Sequence, residues 1–85
     1  MDAKDIKERL LEKDNIEKVL EALGCEHIKR EQRGKLVSAQ LPSRFSSDNK
    51  RAVQVYAMDG VPAKIRNISG FSGDIFSLIS YLFYI

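Results

Sequence analysis

The scarcity of cysteine and histidine is the feature that most limits how this chain can fold. Cys25 is its one cysteine and His27 its one histidine. A single cysteine cannot form an internal disulfide, and a closed zinc site normally takes four cysteine or histidine ligands. Chains near the 85 residues found here often depend on a disulfide, a metal or a partner. We therefore expect neither zinc nor another cofactor, and a fold held by apolar packing.

The N-terminal part predicts two helices. Residues 3–13 place Ile6, Leu10 and Leu11 on one stripe, and Asp2 precedes them as an N-cap. Residues 16–23 form a second helix with one apolar face, for which Asp14 or Asn15 supplies the N-cap and Gly24 a left-handed end. The apolar face of this second helix consists of Ile16, Val19, Leu20 and Leu23.

The middle of the chain predicts two β-hairpins. Residues 26–33 and 35–41 form strands around a tight turn at Arg33-Gly34, and a polar loop follows over residues 43–50. Residues 52–57 alternate, with Val53 and Val55 on one face and Gln54 and Tyr56 on the other. Turn residues at 58–60 then lead to a return strand over residues 62–67, with Ile65 facing inward.

The C-terminal part predicts a glycine-hinged loop over residues 69–73 and a helix capped by Asp74. This helix is apolar on most faces, and residues 75–85 are too few to span a bilayer. An apolar end favours a piece of a longer protein or a module that docks on a partner; a small protein ending in a core helix is the alternative. Its apolar residues are Ile75, Phe76, Leu78, Ile79, Leu82 and Phe83.

Taken together, the pattern predicts one α+β domain with an antiparallel sheet of about four strands. Its parts are the helical residues 1–24, the hairpins of 25–69 and the C-terminal helix of 70–85. Charge is segregated, because residues 26–66 carry nine basic and four acidic side chains, whereas the net charge of the whole chain is +2. A basic middle suits a polyanionic partner, and an ordinary solvated face explains it equally well.

The order of these motifs resembles a known family. A strand pair turning at Gly34-Lys35 is followed by Leu41-Pro42, a polar loop, a second hairpin, and the run GFSGDIFSLI from Gly70. This layout is similar to the zinc-binding N-terminal domain of DnaG-type bacterial and phage DNA primases. The resemblance covers about residues 16–83 and implies a zinc-ribbon-like fold, a role in DNA replication, an origin in a phage, plasmid or mobile element, and a cytoplasmic location.

The resemblance also shows that every metal ligand of that family is replaced. The family's cysteine and histidine positions fall on residues without a suitable donor: Leu41, Arg44, Arg66 and Ser69. Leucine has no donor atom, and arginine stays protonated and repels a cation. We expect Leu41 to fill the vacated site, and Arg44 or Arg66 to pair with Asp48 or Asp59.

In the family, this domain contacts single-stranded template DNA and a separate domain polymerises the primer. The resemblance therefore implies a non-catalytic DNA-binding domain, with a primase catalytic domain in the same chain or a replicative helicase as a further partner, and no membrane. Tyr56 and Phe45 are candidates to stack on bases. The other predicted contacts with DNA are Lys29, Arg30, Arg33, Lys35, Arg44, Lys50, Arg51, Lys64 and Arg66.

Other readings of the sequence are weaker. Cys25 and His27 would point the same way on a strand, but no further ligand or orienting acid accompanies them. The glycines before Asp74 do not follow a phosphate-binding motif, and Asp74 would repel a phosphate. No arrangement of residues predicts enzyme chemistry. The alternative function is a protein interaction or dimerisation module that docks through the apolar C-terminal helix.

Overall fold

The computed structural model describes residues 2–45, 48–66 and 73–84. Within those residues the fold is α+β, with three helices and a five-stranded antiparallel sheet. The strands follow one another across the sheet in chain order, β1-β2-β3-β4-β5. Their bounds are β1 Glu26–Glu31, β2 Leu36–Gln40, β3 Val53–Tyr56, β4 Pro62–Ile65 and β5 Gly73–Asp74.

The helices are α1 (Ala3–Leu10), α2 (Asn15–Ala22) and α3 (Ile75–Tyr84). Two of the predicted caps are confirmed: the Asp5 backbone N–H donates to Asp2 Oδ1 at 3.0 Å, and the Ser77 N–H donates to Asp74 Oδ1 at 3.0 Å. These carboxylates satisfy donors that a helix start otherwise leaves without partners. Asp14 occupies the N-cap position of α2, as one of the two predicted candidates, but its side chain makes no capping hydrogen bond there.

The end of α2 is a Schellman motif. Gly24 has φ +91°, its N–H donates to the Glu21 carbonyl, and the Cys25 N–H donates to the Leu20 carbonyl, both at 3.0 Å. This is the paired hydrogen-bond pattern that closes a helix through a left-handed residue. The prediction that Gly24 ends the helix is confirmed, and the motif turns the chain directly into β1.

The first helix is shorter than its pattern predicted. It ends at Leu10 rather than at residue 13, because Asn15 Nδ2 donates to the Arg9 carbonyl at 2.6 Å and a turn leads into α2. Only Leu10 is buried in α1, while Ile6 and Leu11 are each 38% exposed. The predicted apolar stripe is therefore only partly covered by the rest of the domain.

The core lies between the helices and one face of the sheet. Cross-strand partners on this face are apolar, as in the rows Val37–Val55–Ala63 and Ala39–Val53–Ile65. The inward orientation of Val53, Val55 and Ile65 is confirmed. The residues of the helices that pack against them, all fully or almost fully buried, are Leu10, Ile16, Leu20, Ile75, Leu78 and Leu82.

An irregularity in β1 changes which way its side chains point. The register with β2 shifts between Glu26 and Lys29, and His27 has φ +54°. Cys25 is consequently buried and His27 exposed, so the expectation that they share one face is wrong. Burial raises the pKa of the Cys25 thiol to about 11, despite the opposing field of the Arg44 guanidinium.

The strand β5 was not predicted, since Gly73 was assigned to a loop and Asp74 to the cap of the last helix. Asp74 pairs with Pro62 and Gly73 with Ala63, while the Ile75 N–H donates to the Val61 carbonyl at 2.9 Å. A Cβ on Gly73 would lie 2.5 Å from Ser77 Oγ and 2.7 Å from Ser77 Cβ, so glycine permits this close approach of strand and helix. The rest of the loop predicted over residues 69–73, namely residues 69–72, lies outside the described residues.

Candidate nucleic-acid interface

The sheet face opposite the helices carries polar and basic side chains. Cross-strand pairing places Lys29, Ser38, Gln54 and Lys64 in one row across four strands. The next row contains Glu31, Leu36 and Tyr56. Leu36 is buried but does not belong to the apolar cluster that the helices cover, which agrees with its place on this side. We call this surface the open face and define it by those seven residues.

Two lysines of the row extend into solvent on either side of the open face. The Lys29 side chain is 61% exposed, and Lys64 on β4 is exposed as well. The Lys64 ammonium lies 6.0 Å from the centroid of the half-buried Tyr56 ring. Arg66 follows β4 and is exposed; its backbone N–H donates to the Ala52 carbonyl and continues the ladder. Cations therefore flank an aromatic ring on this surface.

The Arg51 guanidinium is held beside Ser38 by hydrogen bonds. Its Nη1 donates to the His27 carbonyl at 2.6 Å and to Ser38 Oγ at 3.2 Å. Ser38 is fully buried, and its hydroxyl donates to Glu31 Oε2 at 3.1 Å. These bonds order the Arg51 guanidinium without neutralising it, because its acceptors are uncharged oxygens.

Two acidic residues lie on β1 beside this row. Glu31 Oε1 lies 3.6 Å from Lys29 Nζ, and Glu26 pairs with Gln40 at the far end of β1. Exposed ion pairs of this kind contribute little energy, so Lys29 can exchange Glu31 for a phosphate. The arrangement can hold a polyanion that contacts Lys29, Lys64 and the Tyr56 ring and passes over the buried Leu36 and Ser38.

Arg30 was predicted to contact DNA, but the structure places it on the other side of the sheet. It pairs with Val37, whose side chain is in the core. Its Nε donates to Glu17 Oε2 at 2.9 Å and its Nη2 to Glu17 Oε1 at 2.5 Å, while Nη1 donates to the Gly34 carbonyl at 2.7 Å. The guanidinium therefore links α2 to the first hairpin.

Three further predicted cations lie apart from the open face. Arg33 and Lys35 are exposed in the turn between β1 and β2, and Lys50 is exposed in the turn before β3. Gln32 and Arg33 both have positive φ, at 54° and 58°, which makes this turn broader than the predicted Arg33-Gly34 turn. These side chains can extend a polyanion site at its margins but do not belong to its cross-strand rows.

Arg44 and Phe45 are held against α3. They lie in a 3₁₀ turn, Ser43–Phe45, and Arg44 Nη2 donates to the Leu82 carbonyl. The Phe45 ring stacks on Tyr81, with centroids 6.2 Å apart, and the Arg44 guanidinium lies 5.0 Å from the Phe45 centroid. A cation near the C-terminus of a helix interacts favourably with the helix dipole. Both side chains therefore contact α3, which packs on the opposite side of the sheet from the open face.

Four positions match the metal ligands of the primase domains in the resemblance. Three of them have other surroundings in the structure, and the fourth lies outside the described residues. Leu41 is 3% exposed and belongs to the core. Arg44 binds the end of α3, Arg66 is exposed, and Ser69 lies outside the described residues. Among the described residues, no group of three or more histidine, cysteine, aspartate or glutamate side chains is placed to hold a metal. Neither Asp48 nor Asp59 forms an ion pair with Arg44 or Arg66.

Comparison with known proteins adds no assignment, because no family model, curated protein or solved structure matches this chain. In the described part of the chain, no helix is long and apolar enough to cross a bilayer.

Sequence reasoning missed two polar residues of the open face. Ser38 and Gln54 lie between Lys29 and Lys64 in the same cross-strand row. The alternation in residues 52–57 already placed Gln54 beside Tyr56 on one face. For Ser38 the available signal was its position between Val37 and Ala39, since a polar residue flanked by two inward-facing ones points outward.

Proposed function

We propose that this domain binds single-stranded nucleic acid, most simply single-stranded DNA, on the open face of its sheet. The observation that carries the proposal is the combination of Lys29 and Lys64 at the two ends of one row with Tyr56 beside it. Cations neutralise phosphates, and an aromatic ring accepts any base by stacking. The resemblance to primase N-terminal domains supports the same partner and a non-catalytic role in replication.

The geometry matches the size of a short single strand. Adjacent strands in a sheet are about 4.8 Å apart, so the row from β1 to β4 spans roughly 14 Å. A chain of two or three nucleotides covers that distance, with its phosphates near the lysines and one base against Tyr56. Arg51, beside Ser38, and Arg66, which follows β4, can add phosphate contacts along the side of the row that is remote from Tyr56.

A charge-matched pair of variants tests this surface. Lys29→Gln with Lys64→Gln removes two cations from the open face, whereas Lys4→Gln with Lys18→Gln removes two exposed cations from α1 and α2. Both variants lower the net charge from +2 by the same amount. Fluorescence anisotropy with labelled dT12 should show weaker binding only for the open-face variant. Its slope of log Kd against log [NaCl] should fall by about 1.4.

Stacking is tested separately. Tyr56→Leu keeps an apolar side chain but removes the ring, and it should weaken binding of dT12 by about 1–3 kcal/mol without changing the salt slope. Wild-type protein that shows no binding at 20 µM and low salt would reject the proposal. Equal loss in the two lysine variants would point to a diffuse charge effect rather than to the open face.

The second candidate function is a docking module that uses α3, and one observation favours it. Phe83 is 72% exposed and borders a shallow groove that also involves Ala22, Leu23 and Leu82. Most of the apolar surface of α3 is nevertheless covered within the chain, since Ile75 and Leu78 are fully buried. Light scattering coupled to size exclusion distinguishes the candidates: a dimer that Phe83→Ser dissociates supports docking.

A further inference from the structure

The Gln54 side-chain amide occupies the middle of the open face without a hydrogen-bond partner among the described residues. It is half-buried and lies between Ser38 and Lys64 in the cross-strand row. The neighbours on both sides are engaged: the Ser38 hydroxyl contacts Arg51 and Glu31, and Lys64 lies over the Tyr56 ring. Gln54 therefore presents an unused donor and an unused acceptor at the centre of the proposed binding surface.

The position of Gln54 relative to Tyr56 suits contact with a base edge. The two residues are separated by one position on β3, so their side chains share a face and their Cα atoms are about 7 Å apart. A base stacked on the Tyr56 ring extends its edge beyond the ring. The Lys64 ammonium, 6.0 Å from the ring centroid, moves aside to a phosphate when a base stacks there, and the glutamine side chain is long enough to reach the base edge.

We infer that Gln54 reads one base of the bound strand and favours adenine. This inference rests on the proposed function. A glutamine amide matches the adjacent donor and acceptor of adenine, N6 and N7, in a bidentate pair. The cations of the open face carry no such information, since phosphate contacts position a strand without specifying its sequence. Gln54 is thus the specificity-determining residue of a surface that is otherwise tolerant of sequence.

The test compares three labelled oligonucleotides of eleven nucleotides: dT11, the same strand with one central adenine, and that strand with 7-deazaadenine in place of the adenine. The modified base keeps its stacking surface but lacks N7. Wild-type protein should prefer the adenine strand over dT11 by about fivefold or more, and the 7-deaza strand should lose most of that preference. Gln54→Ala should bind dT11 with the wild-type salt slope and show no preference.

A change of base preference gives the second measurement. Gln54→Glu replaces the amide with an acceptor-only group, which is suited to the N4 donor of cytosine. This variant should prefer a central cytosine over a central adenine, even though its added negative charge weakens binding overall. Circular dichroism melting confirms that each variant is folded.

The outcomes separate this inference from the proposed function. Equal wild-type binding of the adenine and thymine strands overturns the role of Gln54 and leaves nucleic-acid binding intact. Retention of the adenine preference in Gln54→Ala also overturns it. Failure of the wild-type protein to bind any of the strands rejects both the proposed function and the recognition of a base by Gln54.

Discussion

Arg30 and Glu17 form a bidentate ion pair that joins β1 to α2, with N–O distances of 2.9 and 2.5 Å. Both side chains are mostly shielded from water, at 28% and 22% exposure. Arg30 also donates to the carbonyls of Lys13 and Gly34, so one guanidinium connects the start of α2 with the first hairpin turn. Arginine suits this position because its planar group offers several donors in a fixed geometry.

Removal of this guanidinium should destabilise the domain. We expect Arg30→Ala to lower the free energy of unfolding by about 2–3 kcal/mol, because a partly buried carboxylate and two carbonyls lose a charged donor. Arg30→Lys should cost less than Arg30→Ala, since it keeps the charge. Urea unfolding followed by circular dichroism measures both, with the exposed Arg9→Ala as control.

The same variant separates a structural from a binding role for Arg30. Under conditions where Arg30→Ala remains folded, it should bind dT12 as the wild type does, because its guanidinium faces away from the open face. A loss of binding comparable to that of the Lys29 and Lys64 variant would contradict this placement.

Acid should destabilise the fold through two carboxylates. The hydrogen bond from Arg30 lowers the pKa of Glu17. The pKa of Asp74 is lowered mainly by the hydrogen bond from Lys7 and, to a smaller extent, by the one from the Ser77 N–H. Because both groups are more acidic in the folded than in the unfolded state, their stabilisation is complete above the unfolded pKa of about 4 and is lost as the pH falls through the folded values. The free energy of unfolding should therefore decrease between pH 5 and pH 3.

Urea titrations at a series of pH values measure this effect. The variant that combines Glu17→Gln with Asp74→Asn should be less stable than the wild type at pH 6 and should lose less stability on acidification. A pH dependence identical to that of the wild type would show that other carboxylates dominate. Glu21→Gln, an exposed change on α2, serves as the control.

Gly24 should tolerate substitution poorly for a conformational reason. Its φ is +91°, while the nearest atom to an added Cβ is Pro42 Cβ at 3.6 Å, an ordinary contact. Gly24→Ala should therefore lower the free energy of unfolding by about 1 kcal/mol through backbone strain rather than through a clash. Gly24→Asn should cost less, since asparagine adopts left-handed conformations more readily. Thermal melting of the two variants ranks them, and an Asn variant weaker than Ala would indicate a steric cause.

The Cys25 thiol should react slowly in the folded protein. It is 7% exposed, and burial raises its pKa to about 11, so little thiolate exists at pH 8. Reaction with a disulfide reagent such as DTNB should be at least tenfold slower than in 6 M urea and should accelerate with destabilising variants. Rapid reaction under native conditions would show that β1 opens readily at its start.

The sequence predicted the elements well where periodicity and capping agreed. Val53 and Val55 face the core as the alternation indicated, and the Schellman end at Gly24 and the caps at Asp2 and Asp74 lie where expected. The end of α1 was misplaced because Leu11 continues the apolar pattern beyond the last helical turn. Periodicity does not reveal that Asn15 bonds back to the Arg9 carbonyl and competes with the helix.

The candidate site was less predictable because it depends on strand register. Lys29 and Arg30 were assigned to one surface, yet consecutive residues of a strand point to opposite sides, and alternation alone separates them. Which of the two faces outward depends on the irregularity between Glu26 and Lys29. Arg44 and Phe45 were assigned to DNA because composition cannot show that a 3₁₀ turn packs on a helix distant in the chain.

The left-handed His27 also affects how β1 meets other molecules. Among the described strands, β1 lies at an edge of the sheet, with β2 on one side only. A flat edge of this kind favours stacking of many copies into fibrils, and natural proteins interrupt it with bulges and charged side chains. The kink at His27, together with the charged residues that follow, breaks the register such a stack would need, and straightening it would be expected to promote aggregation.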